Sequence, residues 1–286
     1  MISVICVYNN EQIFRACLLE SLSEQKIDCE IIAIDNTKNQ FKSAAEALNW
    51  GGARAVGDYL VFAHQDIDLC SDSWFDNTEE LLESLPRLGI AGVVGVRKRD
   101  ATLLERIRNI IYQRRDVRSV ITHGPQKEPI GTPIQLPEPV QTLDECLVII
   151  PKSMFNVSQF DDVTCDNWHL YAVDYCLSIK TRGFDVYVLP KHLQHQSKGL
   201  AGKSSLQVLT SLGEYSEDYY LTLKRILKKH KNRYKWIHTS CGSWSVAYPF
   251  TLQRACQAFR FVVVIPLDEG LVSPLVKKLM LRGNKR

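Results

Sequence analysis

The sequence predicts an α/β fold, with a mostly parallel central sheet flanked by helices and a basic helical C-terminal extension. Short β-branched runs alternate with segments whose apolar residues recur at helical spacing. The strand–helix–strand spacing suits right-handed crossovers and a sheet covered on both faces. At 286 residues the chain has the length for one large α/β domain with a smaller appendage.

ISVICV at 2–7 reads as a buried strand, IIAI at 31–34 as a second, YLVFA at 59–63 as a third and AGVVGV at 91–96 as a fourth. Residues 11–24 and 43–56 between them carry helical periodicity. The stretch 97–118 is basic with helical character, and the proline-rich 124–139 reads as loop. CLVII at 146–150 returns to strand, 169–182 reads as a helix stopped by Gly183, and DVYVL at 185–189 is a strand ended by Pro190. A boundary is expected at 203/204, leaving 1–203 as the α/β domain and 204–286 as the extension.

No apolar run reaches the roughly 18 residues of a spanning helix. The first residues enter a strand directly, so no signal peptide is expected there. The nine cysteines include no Cys-x-x-Cys pair, and Cys6 and Cys146 sit in apolar runs. That usage favours a reducing, cytoplasmic setting, in which the Asn156-Val157-Ser158 sequon is a chance match.

In an open α/β sheet, ligands bind outside the carboxyl ends of the strands. After the first strand come Tyr8, Asn9 and Asn10; after the second, Asp35 and Asn36; after the third, His64, Gln65, Asp66 and Asp68. One edge thus gathers polar groups, a ring and several carboxylates, although Asp and Asn are also common turn residues. No glycine-rich loop follows the first strand, which excludes a Rossmann dinucleotide site and a P-loop. Phosphate charge then falls to a divalent metal on few carboxylates, and Asp66 and Asp68 can supply those.

The segments ISVICVYNN, IIAIDNT, SAAEALNWGGARAVGDYLVFAHQD and WHLYAVDYCLSIKTRGFDVYVLPKHLQHQSKG resemble the GT-A glycosyltransferases, and more narrowly a family 2-like branch with His-Gln-Asp in place of DxD. The resemblance covers about residues 2–203 and implies a nucleotide-sugar donor, with UDP favoured, and Mn²⁺ or Mg²⁺ as cofactor. It implies that Tyr8 and Asp35 hold the nucleoside, that Ala44 and Asn49 face the nucleotide, and that Asp66 touches the metal. His64 stands where the first Asp normally stands; imidazole suits Mn²⁺ better than Mg²⁺, and a ribose contact is the alternative role. Asp68 is a spare carboxylate that either binds metal or caps a turn. His195 matches a late histidine that completes the metal shell, and the glycine-rich stretch after it suits a lid, with Lys198 or Lys203 meeting phosphate charge. Asp174 matches the general base, although Val173 replaces the acidic residue that usually precedes it. His169 belongs to a His-x-Tyr-x-x-Asp pattern that implies a pocket on the acceptor side. The implied reaction is a metal-dependent, inverting transfer to a glycan or lipid-linked acceptor. The rival readings are a nucleotidyltransferase and a non-catalytic sugar- or nucleotide-binding module.

From Tyr219 to Leu267 there is no Asp or Glu, whereas Lys224, Arg225, Lys228, Lys229, Lys231, Arg233, Lys235, Arg254 and Arg260 all lie there. Tyr220, Leu223, Ile226 and Leu227 make a helical stripe that either packs on the core or lies on an anionic membrane, with Trp236, Trp244, Phe250, Phe259 and Phe261 as anchors. Charge is the only feature pointing to nucleic acid, and no such partner is expected.

Overall fold

The computed structural model describes residues 1–98, 115–124, 126–196 and 214–259. The chain forms two compact units. The first comprises Met1–Asp100, Arg115–Gly199 and Glu217–Val246; the second comprises Ala101–Arg114, Leu200–Ser216 and Ala247–Arg286.

The first unit is built on a seven-stranded sheet, ordered β10-β13-β5-β12-β3-β1-β2. These strands are β1 (Ile2–Tyr8), β2 (Glu30–Asp35), β3 (Tyr59–Ala63), β5 (Leu88–Gly92), β10 (Glu138–Pro139), β12 (Leu147–Pro151) and β13 (Asp185–Val188). Strands β1, β2, β3, β5 and β13 run one way, and β12 and β10 the other. The central strands carry fully buried side chains such as Ile5, Leu60, Ile90 and Ile149, which is why they read as continuous apolar runs.

The run expected as one strand at 91–96 divides. It ends in the main sheet as β5, and β6 (Val94–Val96) leaves to pair with β7 (Val117–Ser119) and β11 (Thr142–Leu143). An apolar run buried on both faces carries no periodic mark of such a switch. A four-stranded sheet joins β4 (Ile67–Asp68), β14 (Gln194–His195), β8 (Thr122–His123) and β9 (Glu128–Pro129). Two-residue strands inside a proline-rich stretch leave almost no sequence signal.

Helix α1 begins as Glu11–Phe14, passes through a π segment at Arg15–Leu19 and ends as Glu20–Ser23. Asn10 caps it by accepting from Ile13 N at 3.1 Å. Helix α2 (Ala44–Arg54) is capped by Ser43, whose hydroxyl accepts from Glu46 N at 3.1 Å. It lies close on the sheet because Gly51 and Gly52 face it: a Cβ at Gly51 would stand 2.6 Å from Ile5 Cγ2, and one at Gly52 2.5 Å from the Phe155 ring. Helices α3 (Thr78–Glu83), α4 (Lys152–Val157) and α5 (Tyr171–Thr181) complete the flanks. Gly183, at φ +89°, closes α5 in the left-handed conformation that glycine adopts without strain.

Of the chain beyond the boundary expected at 203/204, Glu217–Val246 belong to this first unit. Helix α6 (Glu217–His230) buries Tyr219, Tyr220, Leu223, Ile226 and Leu227. The hairpin β15 (Trp236–Thr239) and β16 (Gly242–Ser245) docks through Gln141, whose Nε2 donates to Trp236 O at 2.9 Å while its Oε1 accepts from His238 N at 2.7 Å. The apolar stripe of α6 and Trp244 are therefore core, not membrane-facing; Phe261 lies outside the described residues. No helix among the described residues is long and apolar enough to cross a membrane. In the second unit, helix α7 (Phe250–Phe259) is preceded by Tyr248, whose carbonyl accepts from Gln253 Nε2 at 3.0 Å.

Candidate metal and donor site

The carboxyl ends of β1, β2 and β3 lie side by side, since Tyr8 is in register with Asp35 and Ile5 with Phe62. Gln65 ties two of these ends together. Its Oε1 accepts from Asn9 N at 3.1 Å and Asn10 N at 3.0 Å, and its Nε2 donates to Asn9 Oδ1 at 2.8 Å. The middle residue of the His-Gln-Asp element thus sets the loop, and its neighbours on either side are left for ligands.

His64, Asp66 and His195 each present one ligand atom, all within 4.8 Å of one another. His195 arrives on β14, paired with β4 just beyond Asp66, and its Nε2 lies 3.2 Å from Asp66 Oδ1. Burial and the neighbouring His195 hold the His64 imidazole down, at about 4, so it is neutral and keeps a lone pair for a ligand. Burial opposes ionisation of Asp66, but hydrogen bonding and attraction from His195 outweigh it and keep the carboxylate below its ordinary range. His123, on β8 beside β14, stacks edge-on with His195 at 5.2 Å between ring centroids.

Asp68 is not part of this trio. Its Oδ1 accepts from Cys70 N at 2.8 Å and closes a turn in which Cys70 takes φ +58°, the capping role expected as the alternative to metal binding. Tyr8 is half-buried, stacked on Phe14 at 4.7 Å, beside the exposed Asp35. Bonds from the Thr37 hydroxyl (2.7 Å) and Thr37 N (2.8 Å) keep Asp35 low and ionised. Asn49 departs from expectation: its Nδ2 donates to Phe160 O at 2.9 Å and its Oδ1 accepts from Phe160 N at 3.0 Å. With both ends of the amide engaged, it latches α2 to the Phe160 backbone.

Asp174 departs further. Its side chain is 2% exposed, Oδ2 lies 2.6 Å from Lys229 Nζ and Oδ1 lies 2.8 Å from His230 Nε2. The carboxylate expected as the base is thus enclosed by the fold and holds two basic groups. It binds α5 to α6. His169 sits half-buried with its ring 5.8 Å from that of Tyr219, and its backbone N donates to Asn167 Oδ1 at 3.0 Å. Lys198 and Lys203 lie outside the described residues.

Sequence reasoning passed over Asp144 and Glu145, the two residues before Cys146. β12 runs antiparallel to β3, with Leu147 opposite Ala63 and His64 N donating to Cys146 O at 2.9 Å. The acidic pair therefore flanks the His-Gln-Asp element. Adjacent acids just before an apolar strand, once that strand is paired with β3, were the available signal.

The fold agrees with the comparisons. Residues 3–211 match the family described as Glycosyltransferase like family, and the chain belongs to it. The architecture is that of the GT-A glycosyltransferases. A mannosyltransferase from Pyrobaculum calidifontis, solved with GDP-Man and Mn²⁺, is similar with a TM-score of 0.50 at 12% identity, over 99% of this chain and 79% of that one. GalNAc-T7, solved with UDP, GalNAc and Mn²⁺, gives a TM-score of 0.49 at 11% identity over 81% of this chain and 48% of that one. S. aureus TarS with UDP-GlcNAc gives 0.49 at 12%, over 95% and 76%. No curated protein sequence matches the chain.

Proposed function

We propose that this glycosyltransferase moves a sugar from a nucleoside-diphosphate donor to a hydroxyl of a glycan or lipid-linked acceptor, with a divalent cation held by His64, Asp66 and His195. The observation that carries the reading is the convergence of these three ligand atoms within 4.8 Å at the carboxyl edge of the sheet. The neutral His64 imidazole and an ionised carboxylate fit such an ion, and two nitrogen donors favour Mn²⁺ over Mg²⁺. When bound, the cation would supply charge neutralisation to the departing diphosphate.

Around it, each residue has a stated task. Tyr8 and Asp35 take the nucleoside, Asp35 as an ionised acceptor for ribose hydroxyls or base N–H groups. Gln65 keeps the Asn9–Asn10 loop in register with the third strand, so that nucleoside and diphosphate positions keep a fixed spacing. The reaction proposed is a single displacement with inversion at the anomeric carbon.

Thermal stability against UDP, GDP and other nucleoside diphosphates, each with and without Mn²⁺, tests the reading. One diphosphate should raise the melting temperature only with the cation, and Asp66→Ala should remove the effect. Folded protein that shifts with none of them contradicts the donor site and favours a module without that activity.

A further inference from the structure

We infer that Glu145, and not the enclosed Asp174, is the carboxylate that accepts the acceptor's proton. The inference rests on the glycosyl-transfer reading above. Its geometry has three parts. First, Glu145 directly precedes Cys146, whose carbonyl accepts from His64 N at 2.9 Å where β12 pairs with β3, so it adjoins the strand end that carries the His-Gln-Asp element. Second, Glu145 reaches the start of α5, where Oε1 accepts from Ala172 N at 3.4 Å and the N–H groups of Tyr171 and Leu170 also face it. Leu170 stands there in the left-handed conformation at φ +65°, an arrangement that aims successive N–H groups at one carboxylate. Third, the side chain is half-buried, so it keeps an opening that Asp174 lacks.

Its neighbour Asp144 is the natural competitor and is otherwise committed. Asp144 Oδ1 accepts from Cys146 N at 3.1 Å, the Ser240 hydroxyl also bonds it, and it faces His195 and His64. Burial opposes its ionisation, yet Ser240 and the two imidazoles keep Asp144 low. Glu145 moves the other way, raised by burial and by the Asp144 charge, with the α5 N–H groups offsetting only part. The remaining titratable groups facing it are Tyr171 and Cys165, whose own ionisation it opposes. Two adjacent carboxyls driven apart by their surroundings are the usual sign of divided acid–base roles.

In the step, the acceptor oxygen bonds to the anomeric carbon while the bond from that carbon to the diphosphate oxygen breaks. The electron pair leaves with the diphosphate, and the hydroxyl proton passes to Glu145.

The full chain is incubated with Mn²⁺ and UDP-glucose, UDP-N-acetylglucosamine or GDP-mannose, with water as acceptor. Nucleoside diphosphate release is followed across pH, and donor binding is measured by calorimetry. Glu145→Gln should slow release about a hundredfold or more, leave donor affinity within about twofold, and abolish the fall in rate on the acid side. Glu145→Asp, which keeps the carboxylate, should retain that acid-side fall with part of the rate. Unchanged release and an unchanged pH profile in Glu145→Gln, with donor still bound, would overturn the assignment and leave Glu145 as a cap on α5. A wild-type chain that binds none of the donors with Mn²⁺ instead overturns the transfer reading itself.

Discussion

Two clusters in the first unit share almost the same ingredients, an aspartate with two nitrogen bases, and differ in what surrounds them. At the sheet edge Asp66 meets His64 and His195, with side-chain exposures of 22% for Asp66 and 13% for His195. Between α5 and α6, Asp174 meets Lys229 and His230, with Asp174 and His230 at 2% and 5%. In the first cluster burial keeps His64 neutral, so lone pairs point into a shared space. In the second, burial opposes the Lys229 charge, but Asp174 and Asp161 outweigh it and hold the ammonium above its ordinary range. One arrangement could hold an ion; the other already contains its own counter-charge. Composition alone does not separate a ligand site from a structural clamp, whereas access and protonation state do.

Breaking the clamp should have the largest effect. Asp174→Asn leaves Lys229 with only Asp161 as a partner, and loss of one member of a buried pair costs about 3–5 kcal/mol; urea denaturation reads this, and nucleotide binding with Mn²⁺ should persist below the transition. Next, Asp66→Ala should remove the stabilisation that Mn²⁺ and a bound diphosphate confer, about 2.7 kcal/mol at a hundredfold excess over Kd, with little change in the ligand-free melting temperature. Asn49→Ala sharpens the same contrast, since it strips both partners from the Phe160 backbone and should cost about 1–3 kcal/mol with donor affinity unaltered by calorimetry.

The smallest effect is a gain. Because the folded state raises Glu145 above its ordinary value, its ionised form is penalised in the folded protein. The stability this shift represents is present below the unfolded pKa and is lost as pH rises through the folded one. Glu145→Gln should therefore melt above wild type at neutral pH, and the difference should close in acid.

Much of the scaffold was readable from the chain. The strands at 2–7, 31–34 and 59–63 and the helix around 43–56 announce themselves through uninterrupted apolar runs and a Ser43–Glu46 cap. The rule for strand ends marked His64 and Asp66 and the resemblance added His195, although the metal set expected was Asp66, Asp68 and His195. What escaped depends on partners far along the chain. That Asp174 is enclosed is decided by Lys229 and His230 on a helix 55 residues away, and that Asn49 is occupied is decided by Phe160, 111 residues away. Glu145 carries no motif; only the pairing of β12 with β3, with Cys146 O accepting from His64 N, brings its segment to this edge. The two readings of the α6 stripe could not be separated in sequence, because an amphipathic stripe looks the same whether a bilayer or a core covers it; in the fold it is buried.

The most direct test of the contrast is a titration of Mn²⁺ followed by electron paramagnetic resonance, which reads free ion, for wild type, Asp66→Ala and Asp174→Asn in the presence of the diphosphate that stabilises the protein. The account predicts one bound ion in wild type and in Asp174→Asn, and none at the same concentrations in Asp66→Ala. An ion retained in Asp66→Ala and lost in folded Asp174→Asn would contradict it and move the cation site to the cluster between α5 and α6.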